Sequence, residues 1–230
     1  MKIAPQKISK LFYNKWPFKV ECRIDGAHRI SIYGAERTAY WCSTNEPGAT
    51  ARWGYKSKEV DKDNLLKFLN AVAPFLNTPE HVRIRTEGSH FNLFCKDSDL
   101  LKLICTNLEE WVVGIHEPAS AAELAYILQN GHRKRVCNAY PRERYRYKVF
   151  LKSNANTNFG PQFLDWAARY GDAILVSSST TSWLQGGTRW TQAPFMYVYD
   201  GPMLTMVSLY LGNNIRVIEE FILRDSINTV

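Results

Sequence analysis

Alternating hydrophobic and polar residues predict most of the strands of this chain. Phe18, Val20, Cys22 and Ile24 alternate with charged residues, as the two faces of a half-buried strand require. The same alternation, or a short apolar run, predicts strands over 81–85, 90–95, 111–115, 144–152, 173–179, 195–199 and 215–223. Segments 28–33 and 38–43 are expected to add an extra β-hairpin after the first strand.

Leucine-rich segments with helical spacing separate these strands. They predict helices over 61–74, 98–108, 120–130, 162–170 and 200–211. Asp61 or Asp63 is expected to cap the first of these helices, and Asp97 or Ser98 the second. Residues 180–194, which include Gly186-Gly187, either extend the preceding strand or form a loop.

The order of the predicted elements indicates the fold class. Strand, helix, strand, strand, helix, strand occurs twice, which predicts an α+β protein of two tandem ferredoxin-like (βαββαβ) units with antiparallel sheets. We assign 1–117 to the first unit, 118–143 to a helix and basic linker, and 144–230 to the second unit. The two halves share this order but no alignable sequence.

The positive charge of the protein is concentrated in one segment, residues 133–152, which we call the basic segment. It holds eight basic residues and the single acid Glu143, so its formal charge equals the +7 of the whole chain. The rest of the chain is formally neutral. A local excess of this kind suits a polyanion such as nucleic acid. The alternative is the solvated outer face of an antiparallel sheet.

Strand alternation sorts the predicted strand 144–152 into two faces. The face toward the core would hold Tyr145, Tyr147, Val149 and Leu151. The other face would hold Arg144, Arg146, Lys148, Phe150 and Lys152. On the strand 195–199, the rings of Phe195, Tyr197 and Tyr199 alternate with Met196 and Val198. Cations can bind phosphates and rings can stack on bases, although such rings can equally pack under another part of the chain.

Val149-Phe150-Leu151 resembles the shorter motif of the RNA-recognition motif family. The longer, glycine-bearing motif of that family is absent from the chain. The resemblance implies that the outer face of the first and third strands stacks bases, with Phe150 and Tyr197 as platforms.

The predicted nucleic-acid contacts combine the basic segment with nearby aromatic residues. They are Arg133, Lys134, Arg135, Arg142, Arg144, Arg146, Lys148, Phe150, Lys152, Arg189, Trp190, Tyr197 and Tyr199. Arg189 and Trp190 would form a finger, or simply a hairpin tip, beside Gly186-Gly187. The predicted loop 45–58 also carries basic and aromatic residues, which either contact a ligand or anchor the loop.

Motifs for other chemistry are missing from the sequence. The five cysteines are scattered and odd in number, which predicts reduced thiols, no metal site and no cofactor. Acid–base RNA cleavage without a metal remains an alternative, with His132, Tyr140 and Lys134 or Arg135 supplying the groups. Tandem ferredoxin-like ribonucleases that process CRISPR transcripts have a comparable architecture, but their glycine-rich C-terminal loop is not recognisable here. The other histidines, His28, His81, His90 and His116, are expected to be structural or incidental.

These observations predict a nucleic-acid-binding protein that recognises RNA or single-stranded DNA. Two alternatives stay open: a metal-independent endoribonuclease, and a viral or phage structural or assembly protein that binds an acidic partner. The N-terminus does not resemble a signal peptide, and no apolar run is long enough to span a membrane. We therefore expect an intracellular protein without a membrane partner.

Overall fold

The computed structural model describes residues 3–44, 60–131, 133–153, 157–187 and 193–227. The chain divides into two compact units, Met1–Ser120 and Ala121–Val230. Each unit contains one five-stranded sheet, so the class is α+β. Both sheets are mixed, because a short edge strand in each runs parallel to its neighbour. Within the described ranges, no helix combines the length and apolar character needed to cross a membrane.

The first sheet confirms the strands predicted in the first half of the chain. Its strands are β1 (Gln6–Lys7), β2 (Phe18–Arg23), β3 (Val82–Glu87), β4 (His90–Cys95) and β5 (Val112–Glu117). They lie in the order β1-β5-β2-β4-β3, and all neighbours are antiparallel except β1 and β5. The strand β1 was not predicted, because two residues cannot show a periodicity.

Helices cover one face of this sheet. They are α1 (Ala27–Tyr33), α2 (Ala35–Ser43), α3 (Lys62–Leu76) and α4 (Ser98–Asn107). The predicted caps are confirmed, since the Asp61 and Asp97 side chains accept hydrogen bonds from the backbone N–H groups of Asn64 and Leu100. The buried ring of Phe68 in α3 lies 5.1 Å from that of Phe91 in β4, centroid to centroid.

The predicted extra β-hairpin is wrong, because residues 28–33 and 38–43 lie in α1 and α2. Gly34, with a φ of 82°, separates the two helices. Ala27 and Ile30 are buried, whereas Ile32 is 65% exposed. The buried positions are therefore one helical turn apart and not two residues apart. The predicted loop 45–58 lies outside the described residues.

The second sheet has the same strand arrangement as the first. Its strands are β6 (Lys134–Cys137), β7 (Tyr147–Leu151), β8 (Ile174–Val176), β9 (Phe195–Val198) and β10 (Ile215–Leu223). They lie in the order β6-β10-β7-β9-β8, and only β6 and β10 pair in parallel. The strand β6 belongs to residues 118–143, which the sequence analysis assigns to a helix and linker.

The core of the second unit lies between this sheet and its helices. The helices are α5 (Ala121–Asn130), α6 (Gly160–Ala168), α7 (Ser178–Leu184), α8 (Gly201–Leu211) and α9 (Arg224–Ile227). Val149 and Leu151 of β7 and Met196 and Val198 of β9 are buried with Phe163 of α6. This confirms the predicted core face for Val149 and Leu151, and it shows that Met196 and Val198 also point inward.

Two predictions in this unit are wrong. Strand β7 begins at Tyr147 and not at Arg144, because Arg142 and Glu143 have left-handed backbones, with φ of 51° and 63°, that interrupt an extended chain. Residues 178–184 of the predicted strand and loop form α7 instead. The Ser177 side chain caps α7 by accepting a hydrogen bond from the Thr180 N–H.

A buried ion pair joins the first and last helices of the second unit. The Glu123 carboxylate accepts two hydrogen bonds from Arg224, at 2.9 and 3.1 Å. The Glu123 side chain is 1% exposed and that of Arg224 is 16% exposed. Asn138 also accepts a hydrogen bond from Arg224. Removal of one partner would leave the other charge buried without compensation.

We therefore expect Glu123→Ala to lower the free energy of unfolding by about 3 to 5 kcal/mol, measured by urea denaturation. The matched control is Asp165→Ala, which removes an exposed carboxylate from α6 and is expected to change stability by less than about 0.5 kcal/mol. Equal effects of the two substitutions would contradict a structural role for the pair.

Candidate nucleic-acid interface

The outer face of the second sheet carries a cluster of rings around one cation. Lys148 and Phe150 of β7, and Phe195 and Tyr197 of β9, alternate with the buried core residues of their strands. The strand register pairs Lys148 with Tyr197 and Phe150 with Phe195. All four side chains are half-buried. We call these four residues the aromatic face.

The Lys148 ammonium lies among the three rings of this face. Its nitrogen is 3.8 Å from the ring centroid of Phe195, 4.7 Å from that of Phe150 and 5.6 Å from that of Tyr197. Each distance is within the range of a cation–π contact. The aromatic face therefore combines a positive charge with rings that are still partly open to solvent.

Two further rings support the aromatic face. The ring centroids of Phe221 in β10 and of Tyr145 lie 6.2 and 5.9 Å from that of Tyr197. Tyr145 was predicted on the core face of a strand; it is buried, but it lies before β7 and its ring contacts Tyr197. Its hydroxyl donates to the Asp172 carbonyl at 2.9 Å. Both supporting rings are almost fully buried, so they brace Tyr197 and present little surface of their own.

The buried hydroxyl of Thr180 fixes the start of β9. It donates to the Phe195 carbonyl at 2.8 Å and accepts from the Phe195 N–H at 2.8 Å. Thr180 is fully buried in α7. The position of the Phe195 ring thus depends on a side chain that the sequence did not indicate, because a single threonine carries no recognisable motif.

Acidic residues partly neutralise the basic segment. Arg144 pairs with Asp172 at 3.1 Å, and Arg135 lies 4.0 Å from the buried carboxylate of Glu219. Glu219 is also the cross-strand partner of Lys148. Neither acid is close to the basic segment in sequence, so the charge count could not reveal these pairs.

Four other cations of the segment are exposed. Among the described residues, no carboxylate forms an ion pair with them; they are Arg133, Arg142, Arg146 and Lys152. Of the four cations predicted on the outer face of strand 144–152, only Lys148 lies within β7, because Arg144 and Arg146 precede the strand and Lys152 follows it. The exposed cations therefore lie near the ends of strands and not in one row.

The remaining predicted residues have separate positions. Lys134 in β6 lies over the Tyr126 ring, 5.6 Å from its centroid. Tyr199 is 45% exposed and follows β9. Arg189, Trp190 and the alternative catalytic residue His132 lie outside the described residues.

Comparisons with known proteins do not identify a relative. No family model matches the chain, and neither the curated proteins nor the solved structures contain a match. Any functional conclusion therefore depends on the geometry of the chain itself.

We expect Thr180→Val to lower the free energy of unfolding by about 1 to 3 kcal/mol, because the Phe195 N–H loses its buried acceptor while the side-chain volume is kept. The Phe195 carbonyl keeps only the longer bond from the Ser177 hydroxyl, at 3.3 Å. Thermal or urea unfolding measures this loss. Thr205→Val is the matched control, since the Thr205 hydroxyl bonds the Gly201 carbonyl on the exposed surface of α8. A loss of unfolding free energy no larger than that of Thr205→Val would contradict the role of the Thr180 hydroxyl in fixing the start of β9.

Proposed function

We propose that this protein binds single-stranded nucleic acid, RNA or DNA, on the aromatic face of its second unit. The observation that carries the proposal is the Lys148 ammonium held 3.8 to 5.6 Å from three partly exposed rings. Aromatic side chains stack on bases of any sequence, and a nearby cation is attracted to the phosphates.

The arrangement of strands supports a tandem ferredoxin-like architecture. In the first unit, β2, β3, β4 and β5 follow the order β5-β2-β4-β3 across the sheet, and β7 to β10 follow the equivalent order β10-β7-β9-β8. The first and third strands are thus central in both units, as in a βαββαβ fold. RNA-recognition motifs stack two or three bases on rings from these two strands. The aromatic face occupies β7 and β9.

The exposed cations of the basic segment would hold the nucleic-acid backbone. Arg142 and Arg146 precede β7, and Lys152 follows it. Arg144 and Arg135 are expected to contribute less, since each already lies within 4.0 Å of a carboxylate. Contacts to phosphates give affinity that depends on salt and not on sequence.

We expect Phe150→Ala to weaken binding to single-stranded oligonucleotides by about 1 to 3 kcal/mol, because one stacking platform is lost. Fluorescence anisotropy with single-stranded and duplex RNA and DNA measures the effect. Leu209→Ala is the matched control, since Leu209 is 81% exposed on α8, away from this face. Equal losses for single strands and duplexes would contradict base stacking.

The salt dependence of affinity tests the role of the cations. For each lost phosphate contact the slope of log affinity against log salt should decrease by about 0.7 for single strands. We expect this decrease for Arg146→Ala and a smaller one for Arg144→Ala, because Arg144 is paired with Asp172. Unchanged affinity in a folded Arg142→Ala/Arg146→Ala double variant would reject the proposed role of the basic segment.

A further inference from the structure

The outer face of the first sheet holds a cluster of two histidines around one carboxylate. Nδ1 of His90 in β4 lies 3.0 Å from Oε1 of Glu21 in β2. Nε2 of His116 in β5 lies 3.5 Å from the other oxygen, Oε2. The three residues are far apart in sequence, and antiparallel pairing of three neighbouring strands brings them together.

Two backbone features lie beside this cluster. Gly114 is the cross-strand partner of Glu21, and a Cβ atom at Gly114 would lie 3.4 Å from the Glu21 carboxylate and 3.6 Å from His116 Nε2. The pairing of β2 with β5 also shifts register between Glu21 and Cys22. The distances at Gly114 are ordinary van der Waals contacts, whereas bulges re-aim side chains beside functional sites.

A buried acceptor lies beside the cluster. Asn92 is the cross-strand partner of Glu21 in β4 and is 4% exposed. Its oxygen Oδ1 is buried and accepts no hydrogen bond from the described residues. A buried acceptor of this kind is unfavourable unless a donor reaches it. It therefore points to a ligand with a hydroxyl or amine group.

Cations flank the cluster across the sheet. Lys19 is the cross-strand partner of His116, and its ammonium lies 3.3 Å from Glu21 Oε2. In the same cross-strand row, Phe94 connects Lys19 to the exposed Arg83. The Arg83 guanidinium lies 3.9 Å from the Tyr13 ring centroid, and it forms no ion pair with the described residues. The positive charges of Lys19 and Arg83 favour binding of an anion, and they disfavour binding of a metal ion at Glu21.

From this geometry we infer that Glu21, His90, His116 and Lys19 form an acid–base site that cleaves RNA phosphodiester bonds without a metal. The choice of RNA rests on the proposed nucleic-acid binding, whereas the acid–base assignment rests on the cluster alone. Each imidazole contacts Glu21 through one nitrogen. The other nitrogens, Nε2 of His90 and Nδ1 of His116, make no hydrogen bond to the described residues and can face a substrate.

The reaction is an internal transesterification that consumes no other reactant. His116 accepts the proton of the ribose 2′-hydroxyl, and O2′ forms a bond to phosphorus. The bond from phosphorus to O5′ breaks, and His90 donates a proton to O5′. The products are a 2′,3′-cyclic phosphate and a free 5′-hydroxyl. Lys19 stabilises the negative charge that develops on the phosphoryl oxygens.

The electrostatics of the cluster agree with these roles. Burial, together with repulsion from Lys19, lowers the pKa of His116 despite the attraction of Glu21, so its neutral, proton-accepting form predominates near neutral pH. Burial raises the pKa of Glu21, but Lys19, His116 and His90 outweigh it and lower the pKa overall. The ionised carboxylate can then orient the His116 ring through a hydrogen bond, whereas His90 Nδ1 lies within ion-pair distance of Glu21 without hydrogen-bond geometry.

The test uses the full chain with a labelled single-stranded RNA oligonucleotide in EDTA. We expect cleavage to products with a 2′,3′-cyclic phosphate and no cleavage of the equivalent DNA, which lacks the nucleophile. His90→Gln and His116→Gln should each reduce the rate about 100-fold or more. His81→Gln is the matched control and should leave the rate unchanged, because His81 is an exposed histidine outside the cluster.

A small ester substrate distinguishes the role of His116 as base from that of His90 as acid. A ribonucleoside 3′-(4-nitrophenyl phosphate) has a leaving group that needs no proton. We therefore expect its cleavage to be lost in His116→Gln and retained within about 10-fold in His90→Gln. Circular dichroism and thermal unfolding of each variant confirm that it is folded.

Several outcomes would overturn the inference. The first is that the folded wild-type protein cleaves neither the RNA nor the small ester. The second is that neither histidine substitution changes the rate of RNA cleavage. The third is that only one of the two substitutions lowers that rate. The small ester does not need the aromatic face, so Phe150→Ala should leave its cleavage unchanged. Failure of the proposed binding function would instead appear as unaltered nucleic-acid affinity in Phe150→Ala.

Discussion

The pairing of β7 with β9 is the interaction on which the candidate nucleic-acid interface depends. Its register sets Lys148 opposite Tyr197 and Phe150 opposite Phe195. The same pairing directs Val149 and the other alternate residues into the core. A slip of one residue would exchange the two faces of a strand, placing the Lys148 charge among aliphatic side chains. Burial of the core therefore also determines which side chains a ligand can reach.

The two units share a strand order but present different chemistry on their outer faces. Lys19 is paired with Phe94 between β2 and β4, as Lys148 is paired with Tyr197 between β7 and β9. Around Lys148 the neighbours include three rings, which suit stacking, besides its cross-strand partner Glu219. Around Lys19 they include a carboxylate and an imidazole, which suit proton transfer. One topology can thus carry the proposed binding surface in one unit and the proposed acid–base site in the other, because function depends on the side chains placed on a fold.

Charge in the basic segment has a different meaning once the chain is folded. The segment carries the full +7 of the protein in sequence. In the structure, Glu219 and Asp172 lie against Arg135 and Arg144. The exposed cations that remain lie near strand ends and not in one straight row. Counting charges along the chain identified the segment, but only the fold shows which cations are already paired.

Periodicity and capping residues in the sequence determined most strands, the two aspartate caps of α3 and α4, and the inward orientation of Val149 and Leu151. These features depend on residues that are close together in the chain. The pattern could not decide between strand and helix for residues 28–33, because their apolar residues show spacings of both two and three. Packing of Ala27 and Ile30 in the core selected the helix. It also gave no sign of Thr180 beneath Phe195 or of Glu21 between His90 and His116. Such contacts join residues that are distant in sequence, so they exist only after strands pair and cores close.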